Sequence, residues 1–297
     1  MTELPNNKTL IVLAGPTAVG KTSYAIQLAQ LFKTEIVSAD SRQLFKELNI
    51  GVARPSEIEL ACVPHHFIAS HSIFKEYNAG IYEQESVELL NRLFELHNTV
   101  ILTGGTGLYI KAATEGLDTL PPKNELLRSE LQSLIETQGI EPLKHRATAL
   151  GISEEKVAFD NPQRLIRAIE IAEGMKDFKP KPTFARNFTT KYFYLNRDRT
   201  QLYERINMRV DNMLADGLEK EARTMYAHKE LNALQTVGYK EFFAYFDGHI
   251  SRELCIEKIK QNSRNYAKRQ ITWFKNQGDY TELSTEFNEN FWLNLIV

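Results

Sequence analysis

The segment Gly15-Pro16-Thr17-Ala18-Val19-Gly20-Lys21-Thr22 has the residue types and spacing of a phosphate-binding loop, G-x-x-x-x-G-K-[ST]. Its two glycines let the backbone wrap so that successive N–H groups face inward as an anion cradle. A helix starting at its end adds a positive N-terminal pole. Lys21 supplies a point charge to the terminal phosphate, and the Thr22 hydroxyl is a Mg²⁺ ligand by type. The pattern specifies a diphosphate or triphosphate with Mg²⁺ and leaves the rest of the compound open.

Further groups fall where they could serve that loop. Ser38-Ala39-Asp40-Ser41-Arg42-Gln43 starts at the end of an apolar run, and ligands of open α/β sheets sit at the carboxyl ends of strands. Asp40 could take a proton from a nucleophile or hold Mg²⁺ through water; as a turn residue it would do neither. Thr103-Gly104-Gly105-Thr106-Gly107 is a second strand-to-helix turn, equally compatible with a tight corner. Arg205 and Arg209 lie four apart on a helical segment, as either a salt-bridged face or a bidentate diphosphate grip. Gln163-Arg164-Leu165-Ile166-Arg167 puts Arg164 and Arg167 on one helical face. Near the end, Lys260, Arg264, Lys268 and Lys275 share a stripe beside Ile259, Tyr266 and Trp273. Such a stripe is either an ordinary solvated face or a surface for a phosphate backbone. His65-His66 lacks a second ligand pair at metal-binding spacing.

The elements that must carry these groups read as follows. Thr9 to Ala14 is a continuous apolar run, as expected of a buried parallel strand. Lys21 to Phe32 and Ile81 to Leu96 have helical spacing, while Glu35 to Ala39 and Thr99 to Leu102 are strand-like. Alternation of strand and helix predicts a parallel α/β sheet. From about Leu117 to Lys176 only helical patterning remains, opened by Pro121-Pro122 and closed by Lys179-Pro180-Lys181-Pro182. Strand character returns at Lys191 to Leu195, and Arg199 to about Lys275 reads as helical, followed by a short polar tail. The prediction is an α/β core over 1–116 and 187–297, carrying an all-helical insertion at 117–186.

A hydrophobic share of 42% and a charged share of 25% are those of an ordinary globular protein. A formal charge of −2 excludes a globally basic nucleic-acid binder but permits a local basic surface. No apolar run is long enough to span a bilayer, and no leader is expected, so a cytoplasmic location and no membrane partner follow. Cys62 and Cys255 are too few for a disulfide framework and read as small buried residues.

Taken together, GPTAVGKT at 15–22, SADSRQ at 38–43, GGTGLYIKA at 104–112, NPQRLIRAIE at 161–170, LQTVGYKE at 234–241 and YAKRQITWF at 266–274 resemble the tRNA dimethylallyltransferases. The chain follows the family's order over nearly its whole length and is similar to the bacterial form, without the zinc-finger extension of eukaryotic members. Arg54 and Phe45 stand where the family often has lysine and tyrosine. The resemblance implies a P-loop NTPase-like core with a helical insertion that clamps a tRNA anticodon stem-loop. It also implies Asp40 as general base, and Thr17 at the diphosphate near the reacting centre. Gly15, Pro16, Ala18, Val19, Gly20, Lys21, Thr22 and Arg209 would hold the diphosphate. Thr22 would also bind Mg²⁺. The tRNA would be met by Asp40, Ser41, Arg42, Gln43, Thr106, Gln163, Arg164, Leu165, Ile166, Arg167, Gln235, Gly238, Lys240, Arg264, Lys268, Arg269 and Lys275. The implied substrates are dimethylallyl diphosphate and tRNA, and a monomer is expected.

A phosphate-loop kinase using ATP on a small acceptor is the alternative, though it leaves the basic, aromatic C-terminal helix without a role. A non-catalytic RNA-binding switch is a third reading, for which Lys21, Thr22 and Asp40 would be superfluous.

Overall fold

The computed structural model describes residues 8–155, 157–176, 178–179 and 184–296. The polar start before Lys8 and the stretch Pro180 to Pro182 lie outside them. The chain divides into two compact units, 1–116 with 184–297, and 117–183.

The first unit is built on one strand. β1 (Thr9–Ala14) is apolar throughout because parallel partners flank it on both sides, β4 (Thr99–Gly104) and β5 (Thr189–Leu195). With β2 (Ile36–Ser38), β3 (His65–His66) and β6 (Thr281–Leu283), they form an all-parallel sheet in the order β3-β2-β4-β1-β5-β6. Register aligns the carboxyl ends at the centre: Ala14 pairs with Gly104, and Ser38 with Thr103. The loops after β1, β2 and β4 therefore leave from one edge of the sheet.

α1 (Lys21–Phe32) follows the phosphate loop and buries Tyr24, Ala25, Leu28 and Ala29 against the sheet. α2 (Glu57–Cys62) has a capping box of Ser56 and Glu59. α3 (Ala79–Leu96) starts where the Asn78 side chain accepts from the amides of Gly80 and Ile81. α4 (Gly107–Thr114) leaves the second glycine turn. After β5 come α8 (Arg199–Ala215), α9 (Leu218–Met225), α10 (Tyr239–Phe246) and the long α11 (Arg252–Asn276).

The second unit consists of α5 (Glu125–Gln138), α6 (Glu141–Ala149) and α7 (Pro162–Gly174), around Leu127, Leu131, Leu143, Leu165 and Ile169. Asn161 caps α7 through the Arg164 amide, as asparagine before proline suggests. The unit ends at Thr183 rather than Arg186. Arg186 belongs to the first unit because its guanidinium donates to Glu83 Oε1 and to the carbonyls of Ala112 and Ala113.

The expected polar tail is a correction. It adds β6 to the sheet edge, then forms α12 (Glu289–Ile296), whose Trp292 is fully buried. Trp292 meets Phe193 at 4.7 Å between ring centroids and donates its indole N–H to the Tyr24 hydroxyl. A three-residue edge strand and a two-turn helix are too short to show a period in the sequence. The two-residue β3 was missed for the same reason. Cys255 is buried but Cys62 is exposed at the end of the short α2, which buries no residue fully. No helix among the described residues is long and apolar enough to cross a membrane.

Replacing Trp292 with alanine should lower stability by about 3–5 kcal/mol, the usual cost of deleting a buried indole. Urea unfolding checks this; a loss below about 1 kcal/mol would show that the tail does not belong to the cooperative core.

Candidate functional site

A cavity of about 750 Å³ opens at the carboxyl edge of the sheet in the first unit. Its floor is the phosphate loop and the start of α1, with Thr17, Lys21 and Thr22 facing it; Asp40 and Arg42 line one side, and Arg205 and Arg209 of α8 and Tyr266 and Gln270 of α11 the others.

The phosphate loop keeps its curve through left-handed backbone at Ala18 and Gly20, with φ of 64° and 116°. The Lys21 ammonium donates to the carbonyls of Gly15 and Pro16 at 2.9 and 2.8 Å, inside the curve. Arg205 Nε donates to the Ala18 carbonyl at 2.8 Å, and Arg209 Nη1 to Thr17 Oγ1 at 3.2 Å. The four-residue spacing on α8 thus puts two guanidiniums on the loop, so these arginines do not form a salt-bridged surface face. Burial pushes Lys21 down to about 7, opposed by Asp40 and helped by Arg209. Burial likewise lowers Arg209, and Arg205 beside it adds to the effect. Cations crowded and desolvated in this way favour an anion among them.

Asp40 is both a turn residue and a cavity residue. Its Oδ1 accepts from the amides of Arg42 and Gln43 at 2.9 and 3.2 Å, which fixes the carboxylate at the end of β2. The second glycine turn locks against this segment. The Thr106 amide donates to the Ala39 carbonyl, and the Ser41 amide donates to Thr106 Oγ1 at 3.1 Å. A Cβ on Gly104 would lie 2.2 Å from the Ala39 carbonyl oxygen, so no other residue fits there. Burial, followed by the nearby Asp40 charge, raises the Tyr266 hydroxyl to about 12, so it remains a neutral donor.

The residues expected at tRNA divide into distinct groups. Arg42 donates to the carbonyls of Asn232 and Ala233, and Gln43 to those of Val52 and Ala53, while both still line the cavity. Gln235 donates to the Lys229 carbonyl, Gly238 begins α10 with φ 97°, and Lys240 is exposed at the cavity rim. In the second unit, Leu165 and Ile166 are core residues, and Arg167 is held by Glu170 and the Pro121 carbonyl. A contact surface there falls to the exposed Gln163 and Arg164. The C-terminal stripe is also split: Lys260 pairs with Asp211 at 2.5 Å and Arg264 donates to Asn207, because α8 packs there. Lys268, Arg269 and Lys275, farther along, are exposed. His66 pairs with Glu35, and no group of metal-ligating side chains occurs among the described residues.

Sequence reasoning passed over Gln270, a polar residue four positions after Tyr266 and three before Trp273. Its place on the inward stripe of an amphipathic helix was the available signal. It is 5% exposed and hydrogen-bonded at both ends of its amide.

Residues 43–277 match the family model of the IPP transferases. The chain is 46% identical to a tRNA dimethylallyltransferase of Flavobacterium johnsoniae, over 95% of this chain and 96% of that protein. It is 44% identical to tRNA dimethylallyltransferase 1 of Bacteroides fragilis, covering 90% and 91%. Among solved structures, it is similar to the full-length tRNA isopentenylpyrophosphate transferase of Bacillus halodurans, at 30% identity and a TM-score of 0.73 over 97% of each chain. A eukaryotic dimethylallyltransferase captured acting on tRNA gives a TM-score of 0.73 at 26% identity, over 93% of this chain and 74% of that one.

The lowered Lys21 pKa has a measurable sign. An anion in the loop favours the charged ammonium and raises its pKa, so above about pH 7 binding must take up a proton. Diphosphate affinity should therefore fall as pH rises from 7 to 8.5, by up to about tenfold per unit. Titration calorimetry in buffers of different ionisation enthalpy checks this. Lys21→Met should flatten the slope; an equal slope in both proteins would place the titrating group elsewhere.

Proposed function

The chain belongs to the IPP transferase family, and we propose that it moves the dimethylallyl group of dimethylallyl diphosphate to N6 of the adenine 3′ to the anticodon of tRNA. The observation that carries this reading is the single cavity shared by a phosphate loop, the carboxylate of Asp40 and the guanidinium of Arg209. One anionic leaving group and one proton acceptor are thereby held side by side.

In this reading the diphosphate lies in the loop, held by Lys21, Arg209 and the inward backbone amides, with Thr17 at the reacting end. The adenine leaves its stack, at a cost of a few kcal/mol, and presents N6 to the first prenyl carbon. A loop nucleotide is a suitable target because it is already exposed. The bond from N6 to that carbon forms as the carbon–oxygen bond to diphosphate breaks, and the electron pair leaves with the diphosphate. Asp40 takes the N6 proton, so the amine ends as a neutral secondary amine. The exocyclic lone pair is delocalised into the ring and attacks poorly. Rate therefore depends on alignment, proton removal and stabilisation of the departing charge.

The Thr22 hydroxyl and the Asp40 carboxylate are hard oxygen donors in the same cavity, a set suited to Mg²⁺. A Mg²⁺ ion held there with the diphosphate would neutralise part of the leaving charge. The tRNA surface we assign to the exposed Lys268, Arg269 and Lys275, to the cavity rim at Gln235 and Lys240, and to Gln163 and Arg164 of the second unit.

Transfer of label from dimethylallyl diphosphate to tRNA tests the reaction, with labelled ATP as the control. Label from ATP appearing on a small acceptor, with none transferred to tRNA, would install a kinase in its place. Asp40→Asn should bind both substrates yet turn over about 10²–10⁴ times more slowly. Near-normal single-turnover rates in this variant would remove Asp40 from the chemistry.

Salt dependence tests the surface. Neutralising Lys268 and Lys275 together should reduce the log–log salt slope of tRNA affinity by roughly 0.7–0.9 for each lost phosphate contact. Diphosphate affinity should be unchanged. Arg264 is left out because Asn207 already engages it. An unaltered slope in a folded double variant would make this stripe an ordinary solvated face.

A further inference from the structure

We infer that Gln270 is a positioning residue that sets the spacing between the leaving-group cradle and the proton acceptor, an inference that rests on the reaction proposed above. Its Oε1 accepts from the Thr17 amide at 2.8 Å, and its Nε2 donates to the Gly105 carbonyl at 2.9 Å. The first bond fixes the Thr17 peptide plane, whose side-chain oxygen accepts from Arg209. The second holds the glycine turn, which is bonded through Thr106 to Ala39 and Ser41 on either side of Asp40. One amide therefore joins the two loops between which the prenyl group must pass.

The turn is shaped to admit this side chain. A Cβ on Gly105 would stand 2.2 Å from Gln270 Nε2, and one on Gly107 would stand 1.9 Å from Trp273 Nε1. Gly105 does not have a positive φ, so its small size serves proximity to α11 rather than backbone conformation. A core glutamine kept only for packing could bond within its own helix. This one bonds to two separate loops and spends no polar atom on α11. An apolar residue of the same size would leave a part-buried N–H and a buried carbonyl without this partner. The Thr17 amide, engaged by Gln270, contributes to catalysis through orientation and not as a phosphate donor.

The inference predicts a loss in kcat greater than the change in KM, because Lys21 and Arg209 still hold the diphosphate in the ground state. In the full-length protein with tRNA and dimethylallyl diphosphate, Gln270→Leu should lower kcat about 10²-fold, the effect of a small misalignment. KM for the diphosphate and affinity for tRNA should stay within about fivefold. Gly105→Ala displaces the amide without altering Gln270 itself and should give a similar loss. The double variant should be no slower than the worse single one, since both break one linkage. Thermal melts establish folding at the assay temperature. Gln270→Leu within about threefold of normal kcat overturns the inference, as do losses that multiply in the double variant. If Gln270→Leu does not fold, Gly105→Ala decides alone on the same threshold. Wild-type protein that transfers no label overturns the reaction and this inference with it. Transfer by the wild type beside a normal variant overturns the inference only.

Discussion

Where β2 and β4 end, their backbones come so close that only glycine can occupy position 104, its Cβ direction pointing at the Ala39 carbonyl oxygen 2.2 Å away. Parallel register brings these ends level with the end of β1. The phosphate loop, the Asp40 turn and the second glycine turn then share one edge, with no side chain between the last two at Gly104 and Ala39. Most of the site follows from this. Asp40 is held near Lys21 by backbone geometry and not by a flexible tether, and the turn bonds between Thr106, Ala39 and Ser41 leave it little freedom.

The electrostatic character of the cavity comes from adding helices to that edge. α8 sets two guanidiniums against a loop that already contains a desolvated ammonium, and burial with neighbouring positive charge disfavours the charged forms of Lys21 and Arg209. Held cations of this kind cost stability in the free protein and strengthen an anion when it arrives, since little reorganisation is then required. Tyr109 and Tyr266 stay protonated beside Asp40, both pushed to about 12 chiefly by burial, which leaves them as hydrogen-bond donors and fits the proposed role of the carboxylate as proton acceptor.

α11 connects the halves of the first unit. Its inward stripe, Tyr266, Gln270 and Trp273, closes on the phosphate loop and the glycine turn, while its outward side exposes Lys268 and Lys275. A helix far along the chain thus completes a site that begins at residue 15. One helix joins the charged outer face proposed for tRNA to the loops of the cavity.

The sequence by itself determined the parallel α/β core, the phosphate loop and the helical character of the segment around 117–176, because each rests on a local signal. These signals are an apolar run before G-x-x-x-x-G-K-T, and a 3.6-residue period long enough to detect. It also marked Asp40 and Arg209 as candidates, through the end of a strand and the resemblance to a family. Only the tertiary structure decided which marked residues are available. Leu165 and Ile166 went into a core, Arg167 to the Pro121 carbonyl, Lys260 to Asp211, and Arg264 to Asn207, because the partners that claim them are remote in sequence or on another helix. Trp292 and the edge strands were illegible for a related reason: their elements are too short for a period to be recognised and are stabilised by neighbours far away. Gln270 is the sharpest case. Its residue type and spacing read as one polar position on a buried stripe, and its two hydrogen bonds span 253 and 165 residues of chain, a pairing that only folding can specify.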